Sequence, residues 1–201
     1  LSVQRITSQI ETPLNELVYS YAWTGDGKRL AVAGEKTLLI LDGNSPSQVD
    51  ASFSLEDIGR VASLDWSSDG KYLAFTHGMN AKSDWGVFQF DGDALQLIQF
   101  DGIDSLPNAV SWHPAKPILA VGLGQVGRDG SPVQLWDVND QQLLLTIPTN
   151  ELKVQDLEFS NEGDRLAVAF DRPVGLVAFE SSGSIAVFST VDGESLGNFP
   201  R

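Results

Sequence analysis

The sequence predicts an all-β chain whose small four-stranded sheets stand like blades around an axis, and three observations predict it. Four segments repeat one pattern at a period near 45 residues, each repeat breaks into short strands between Gly- and Asp-bearing turns, and no useful stretch carries the 3.6-residue apolar period of a helix. The repeated segments are Ala22–Val32, Asp65–Phe75, Ser111–Val121 and Glu158–Val168. Their aromatic anchors, Trp23, Trp66, Trp112 and Phe159, are 43, 46 and 47 residues apart, and Leu30, Leu73, Leu119 and Leu166 keep the same separations. A two-layer sandwich would not explain four equal registers, whereas radially repeated sheets do, so the expected architecture is a β-propeller of about four blades.

The elements follow in chain order. Residues 1–17 form a lead-in, in which Val3–Ile6 alternates like a strand and Asn15–Leu17 could start one turn of helix. The blades are expected at about 18–56, 61–99, 108–148 and 154–200. In each, a first strand ends at the aromatic anchor. A turn such as Ser68-Asp69-Gly70-Lys71 follows, where Gly supplies a positive φ and Asp hydrogen-bonds its own turn. The second strand, of Leu-Ala-Val type, is large on one face and small on the other, which suits a sheet covered on both sides. Third strands are read at Leu38–Leu41, Val87–Phe90, Val133–Trp136 and Ile185–Phe188. Weaker outer strands are read at Ala51–Phe53, Leu95–Ile98, Leu143–Ile147 and Leu196–Phe199.

Composition bounds the function. In 201 residues, 42% are hydrophobic and 20% charged, which suits a folded chain. The net charge of −14 repels nucleic acid and anionic membrane surfaces. No apolar run approaches the ~20 residues that span a bilayer, so no membrane insertion is expected. With no cysteine and only His77 and His113, thiol chemistry is excluded and His-based metal or triad chemistry is sharply limited, so no metal or cofactor is expected. The compartment stays open, with the cytoplasm favoured. Gly122-Leu123-Gly124-Gln125-Val126-Gly127 fits the dinucleotide pattern but is followed by Arg128–Pro132 and another strand, not the helix that pattern requires. Asp65 and Glu158 share one register position two blades apart and form the one carboxylate pair that could be read as acid and base; an ordinary exposed-acid reading is preferred, and no catalytic residue is assigned.

On the turn Trp66-Ser67-Ser68-Asp69-Gly70-Lys71-Tyr72-Leu73-Ala74 and the strand ending Val133-Gln134-Leu135-Trp136-Asp137, the chain resembles the WD40 β-propeller family over about Val18–Phe199. That resemblance implies a network of His, Ser/Thr, Asp and Trp in each blade. Asp84 and Asp129 stand at the Asp position, with Glu35 and Ser182 in the other copies, but no His lies ahead of a first strand, so the network is incomplete. The resemblance also implies seven or eight blades. Four blades at that curvature would leave raw sheet faces, so the chain is expected to be the opening half of a longer propeller or a half-ring closed by another chain, for example a second copy, with a ring closed by these four blades alone as the less favoured alternative. Val3–Ile6 would then complete a blade that the chain lacks.

The loops between second and third strands lengthen along the chain, from 34–36 through 77–84 and 122–132 to 171–182, and share one rim. Insertions on one face of a repeat array mark a binding face. The expected contact residues there are Met79, Trp85, Arg128, Arg172, Val174, Leu176 and Phe179. The functional expectation is a non-catalytic scaffold or sensor that binds a protein partner. The alternatives are the propeller portion of a hydrolase or lyase whose catalytic residues lie elsewhere, and a purely structural half-ring.

Overall fold

In the computed structural model, which describes residues 14–78, 83–100, 106–124, 131–149, 153–173 and 181–200, the chain is all-β. Its sixteen strands among these residues form four antiparallel sheets, each of four strands in consecutive order. Blade 1 contains β1 (Ser20–Trp23), β2 (Arg29–Ala33), β3 (Thr37–Asp42) and β4 (Val49–Ser54). Blade 2 contains β5 (Val61–Trp66), β6 (Tyr72–Gly78), β7 (Ser83–Phe90) and β8 (Leu95–Gln99). Blade 3 contains β9 (Pro107–Trp112), β10 (Ile118–Leu123), β11 (Val133–Asp137) and β12 (Gln142–Ile147). Blade 4 contains β13 (Lys153–Phe159), β14 (Arg165–Pro173), β15 (Ser181–Ser189) and β16 (Ser195–Pro200). The first strands β1, β5, β9 and β13 lie side by side in chain order, so the blades fan out from them as a propeller.

Each second strand divides its apolar residues between two neighbours. In β6, Leu73 and Phe75 pack with Ile40, Ala51 and Ala31 of blade 1, while Ala74 faces Val110, Trp112 and Leu119 of blade 3. A third cluster joins Leu135, Val133 and Ile147 of blade 3 to Leu157, Phe159, Leu166 and Phe188 of blade 4. Alternation at period two thus becomes one docking face toward the preceding blade and another toward the following one. The guanidinium of Arg29 tightens the first junction: it lies 5.0 Å from the Phe90 ring centroid and 3.5 Å from Asp50.

Two expectations are corrected. Asn15–Leu17 forms no helical turn; the chain bends at Glu16, whose carboxylate accepts the backbone N–H of Lys36 at 3.0 Å and ties the lead-in to blade 1. A single turn cannot sustain itself against such a tertiary bond. The rim loops of blades 2 and 4 are also shorter than expected. β6 and β7 stay paired through His77↔Asp84 and Gly78↔Ser83, and β14 and β15 through Arg172↔Ser182 and Pro173↔Ser181, because extending a hairpin ladder satisfies backbone groups at every second pair. The strand expected at Val3–Ile6 lies outside the described residues. Among the described residues no helix is long and apolar enough to cross a membrane.

Candidate functional site

Two surfaces can do something chemical: an axial cavity between the first strands, and the outward sheet faces of the terminal blades. The cavity measures about 550 Å³ and draws its walls from all four blades, among them Trp23, Asp65, Trp112, His113, Asp156 and Glu158. Asp65 sits on β5, where its Oδ2 accepts the Trp112 backbone N–H at 2.7 Å; the Trp112 indole N–H donates to the Asp65 carbonyl oxygen at 3.1 Å. Blade 2 is thereby stitched to blade 3 at the axis. Burial pushes the Asp65 carboxyl up to about 6, with the negative charge of Glu158 adding to the rise and the N–H groups of Trp112 and Trp66 opposing it. The carboxylate pair noted at the sequence level therefore does converge on one cavity, across the intervening Ser111 of blade 3.

The turns beside the cavity are built on one plan. Thr24, Ser67 and Ser160 each donate a hydroxyl hydrogen to an Asp of the same turn, at 2.7–2.9 Å, and accept a backbone N–H from the start of the next strand. Blade 3 departs from this plan. His113 is buried there and its Nδ1 accepts the N–H groups of Ala115 and Lys116 at 3.0 and 3.1 Å. Burial holds this imidazole below its ordinary value, and Lys116 lowers it further. Its ring lies against Phe159 and over Gly163 of blade 4, filling the space a Cβ there would need. His77, at the end of β6, stacks on Phe75. Among the described residues no three His, Asp or Glu side chains gather as metal ligands.

The terminal faces stand out when equivalent positions are compared. Leu38, Trp85, Val133 and Ile185 occupy one register position, opposite Ala33, Thr76, Gly122 and Ala169. The first three are 0%, 2% and 0% exposed, because a following blade covers them, but Ile185 of blade 4 is 48% exposed. The anchors show the reverse face: Trp66, Trp112 and Phe159 are 4%, 5% and 8% exposed against the preceding blade, and Trp23 of blade 1 is 48% exposed. Tyr21 beside Trp23, and Phe199 beside Ile185, are exposed as well. Blade 4 makes no extended contact with blade 1 among the described residues, so the four blades form an open arc.

Of the residues expected at the rim, Met79, Arg128, Val174, Leu176 and Phe179 lie outside the described residues, and Arg172 is placed within β14. Trp85 is corrected from a rim contact to a core residue: its ring stacks on Phe100 at 4.3 Å between centroids and packs on Trp136 at 5.5 Å. The family-type network is likewise not assembled at Trp136, whose indole N–H donates to Gln134 at 3.1 Å. In the glycine-rich segment, Gly122 is required because a side chain would strike Val154 and Leu157 of blade 4, which is a packing role. The exposed Tyr21, Trp23, Ile185 and Phe199 were missed in sequence. Each falls at a repeat position that the inner blades largely bury, so its own local sequence does not distinguish it from its covered equivalents.

No family model matches the chain. No curated protein sequence matches it either. The fold is shared with solved structures, among them a chain of the Kuenenia stuttgartiensis hydrazine synthase, which superposes with a TM-score of 0.73 at 13% identity. The superposition covers 99% of this chain and 53% of that one, so this chain spans about half of its length.

Proposed function

We propose that the chain is a WD40-like propeller segment with no chemistry of its own, serving as a scaffold for a protein partner. The observation that carries this reading is the open face of blade 4, where Ile185 and Phe199 are exposed at positions equivalent to ones the other blades bury. Contiguous apolar surface of this kind, rimmed by polar groups, marks an interaction site. Asp156 and Glu158 stand on its axial edge, and with the −14 charge they favour a partner carrying basic groups. The rim residues Met79, Arg128, Arg172, Val174, Leu176 and Phe179 form the second proposed contact zone. The WD40-like assignment is supported by the hydroxyl–Asp turns and by the Trp136-Asp137 ending of β11.

The test is retention of proteins from native extract on the immobilised chain. Wild type is expected to hold discrete proteins, less at high salt, that Ile185→Asp releases. Equal retention by both, or none by either, overturns the reading. A second reading, the propeller portion of a hydrolase or lyase, is favoured by one observation: Asp65, raised to about 6 beside the axial cavity, is suited to proton transfer near neutral pH. Turnover abolished by Asp65→Asn would support it over the scaffold. The likeness to hydrazine synthase carries the fold and no activity.

A further inference from the structure

We propose that a cleft between blades 2 and 3 binds a small organic anion, a monocarboxylate on a body about the size of one ring. This goes beyond the protein-binding reading above, and neither depends on the other.

The cleft exists because one copy of the repeat breaks its own plan. In the turn after each anchor, Gly27, Gly70 and Gly163 hold equivalent positions. Each has a positive φ and donates its N–H to the carbonyl of Thr24, Ser67 or Ser160. Blade 3 carries Lys116 there, followed by Pro117. A lysine is strained at positive φ, and the proline behind it favours an extended backbone. Its N–H goes instead to Nδ1 of His113, at 3.1 Å.

The junctions show the consequence. Gly70 of blade 2 lies so near blade 1 that a Cβ on it would stand 3.6 Å from the Thr24 methyl, and Gly163 of blade 4 lies under the His113 ring of blade 3. Between blades 2 and 3 the corresponding place is open. A cavity of about 270 Å³ occupies it, walled by the turn carrying Asp69 and Lys71 in blade 2 and by Trp112, Lys116 and Asn139 of blade 3. Both walls belong to inner blades, so the cleft is independent of what stands before blade 1 or after blade 4. A second departure converges on it: Tyr72 lines the cavity where the other blades have Arg29, Ile118 and Arg165.

The chemistry of the walls selects the ligand. Two lysines, Lys71 and Lys116, line the cavity with one carboxylate, Asp69, which leaves one positive charge in surplus on a chain of net charge −14. Asp69 is already engaged: Oδ1 accepts the Ser67 hydroxyl at 2.7 Å and the Lys71 N–H at 3.1 Å, and Oδ2 lies 3.3 Å from Lys71 Nζ. Among the described residues the Lys116 ammonium has no ion pair, and the Ser68 hydroxyl and Asn139 side-chain amide have no hydrogen bond. The walls therefore offer donors in excess, which suits a ligand that brings an anionic acceptor, the stronger kind of hydrogen bond. One surplus cation matches a monocarboxylate better than a phosphate dianion. Tyr72 and Trp112, stacked at 6.0 Å between centroids, and Pro117 supply the apolar wall for the hydrocarbon part. The volume falls just below the ~300–1,000 Å³ of pockets for drug-sized ligands, which sets the size at about one ring.

The test is titration of the full 201-residue chain with benzoate, followed in the proton–nitrogen correlation NMR spectrum. Benzamide serves as the neutral molecule of the same shape, and inorganic phosphate as the anion without a ring. Wild type is expected to give saturable benzoate shifts at the amides of Ser68, Lys71, Lys116 and Asn139, with benzamide and phosphate each binding at least about tenfold more weakly. Lys116→Gln is expected to weaken benzoate about tenfold, the scale of one charge-assisted hydrogen bond. Lys28→Gln, which removes the same charge from an equivalent turn outside the cleft, is expected to leave binding unchanged. Both lysines are exposed on turns, and unchanged shifts elsewhere in the spectrum confirm that each variant is folded. The absence of saturable shifts overturns the proposal, as do shifts spread over the lysines of the whole chain. Benzamide binding as well as benzoate, phosphate binding more tightly than benzoate, or equal losses in the two variants overturns it too. None of these outcomes bears on retention of proteins by the blade 4 face, so the two readings fail separately.

Discussion

At the residue scale, Asp65 shows how a fold and its electrostatics are bound together. Its carboxyl titrates near 6 in the folded chain against about 3.8 when free, so the folded state holds its proton more tightly. The sign follows: the stability this group contributes is present below pH 4 and is lost as pH rises toward 6. Asp65→Asn keeps an acceptor for the Trp112 N–H and removes the burial of a charge. Urea unfolding should find the variant equal to wild type near pH 4 and more stable at pH 7, by on the order of 2 kcal/mol. A difference that does not change with pH would contradict the burial account. His113 acts in the opposite direction, since its lowered value makes the fold lose stability as pH falls below 6.5. A second prediction concerns the glycine beneath it. Gly163 has φ +75° and Gly70 has φ +68°, so alanine strains the backbone at either, by roughly 1–2 kcal/mol. At Gly163 the new methyl also meets the His113 ring, whereas at Gly70 it meets only a Thr24 methyl at 3.6 Å. Gly163→Ala should therefore lose more stability than Gly70→Ala in the same denaturation series; equal losses would mean the ring yields freely.

At the scale of the element, strands were legible in the sequence because each blade is specified by the same local rules. Leu73-Ala74-Phe75 could be read as a strand covered on both faces, since its large and small sides alternate, and both faces are in fact buried. The ends of strands were less legible. Arg172 and Asp84 look like loop residues by composition, yet backbone pairing carries the hairpins past them, and pairing is indifferent to side-chain polarity. Trp85 was misread for the same reason: it was counted into a loop, while the ladder lifts it into the sheet and turns it toward blade 3. Trp85→Ala should consequently lower stability by about 3–5 kcal/mol, as a large aromatic ring removed from a packed junction does. A variant of wild-type stability with weakened partner binding would restore the rim assignment.

At the scale of the whole molecule, the propeller architecture was legible from the period, and the neighbours of each blade were not. Trp23 and Trp66 are equivalent in the repeat, and local sequence gives no way to tell that one is covered and the other is open. Exposure at that position is decided by whether a blade precedes it, which is a property of the arc. The axial cavity is of the same kind: Asp65 and Glu158 converge through the stacking of three first strands, although their shared register was visible in the sequence. The claim on which the account depends is that the four blades fan out as an open arc, with Trp23 exposed on blade 1 and Ile185 exposed on blade 4. Direct structure determination of the purified 21.7 kDa chain in solution, by nuclear magnetic resonance, tests it most sharply. The expected structure holds four four-stranded blades with no extended contact between blade 4 and blade 1. A single chain whose own blade 4 packs against its own blade 1 would contradict it.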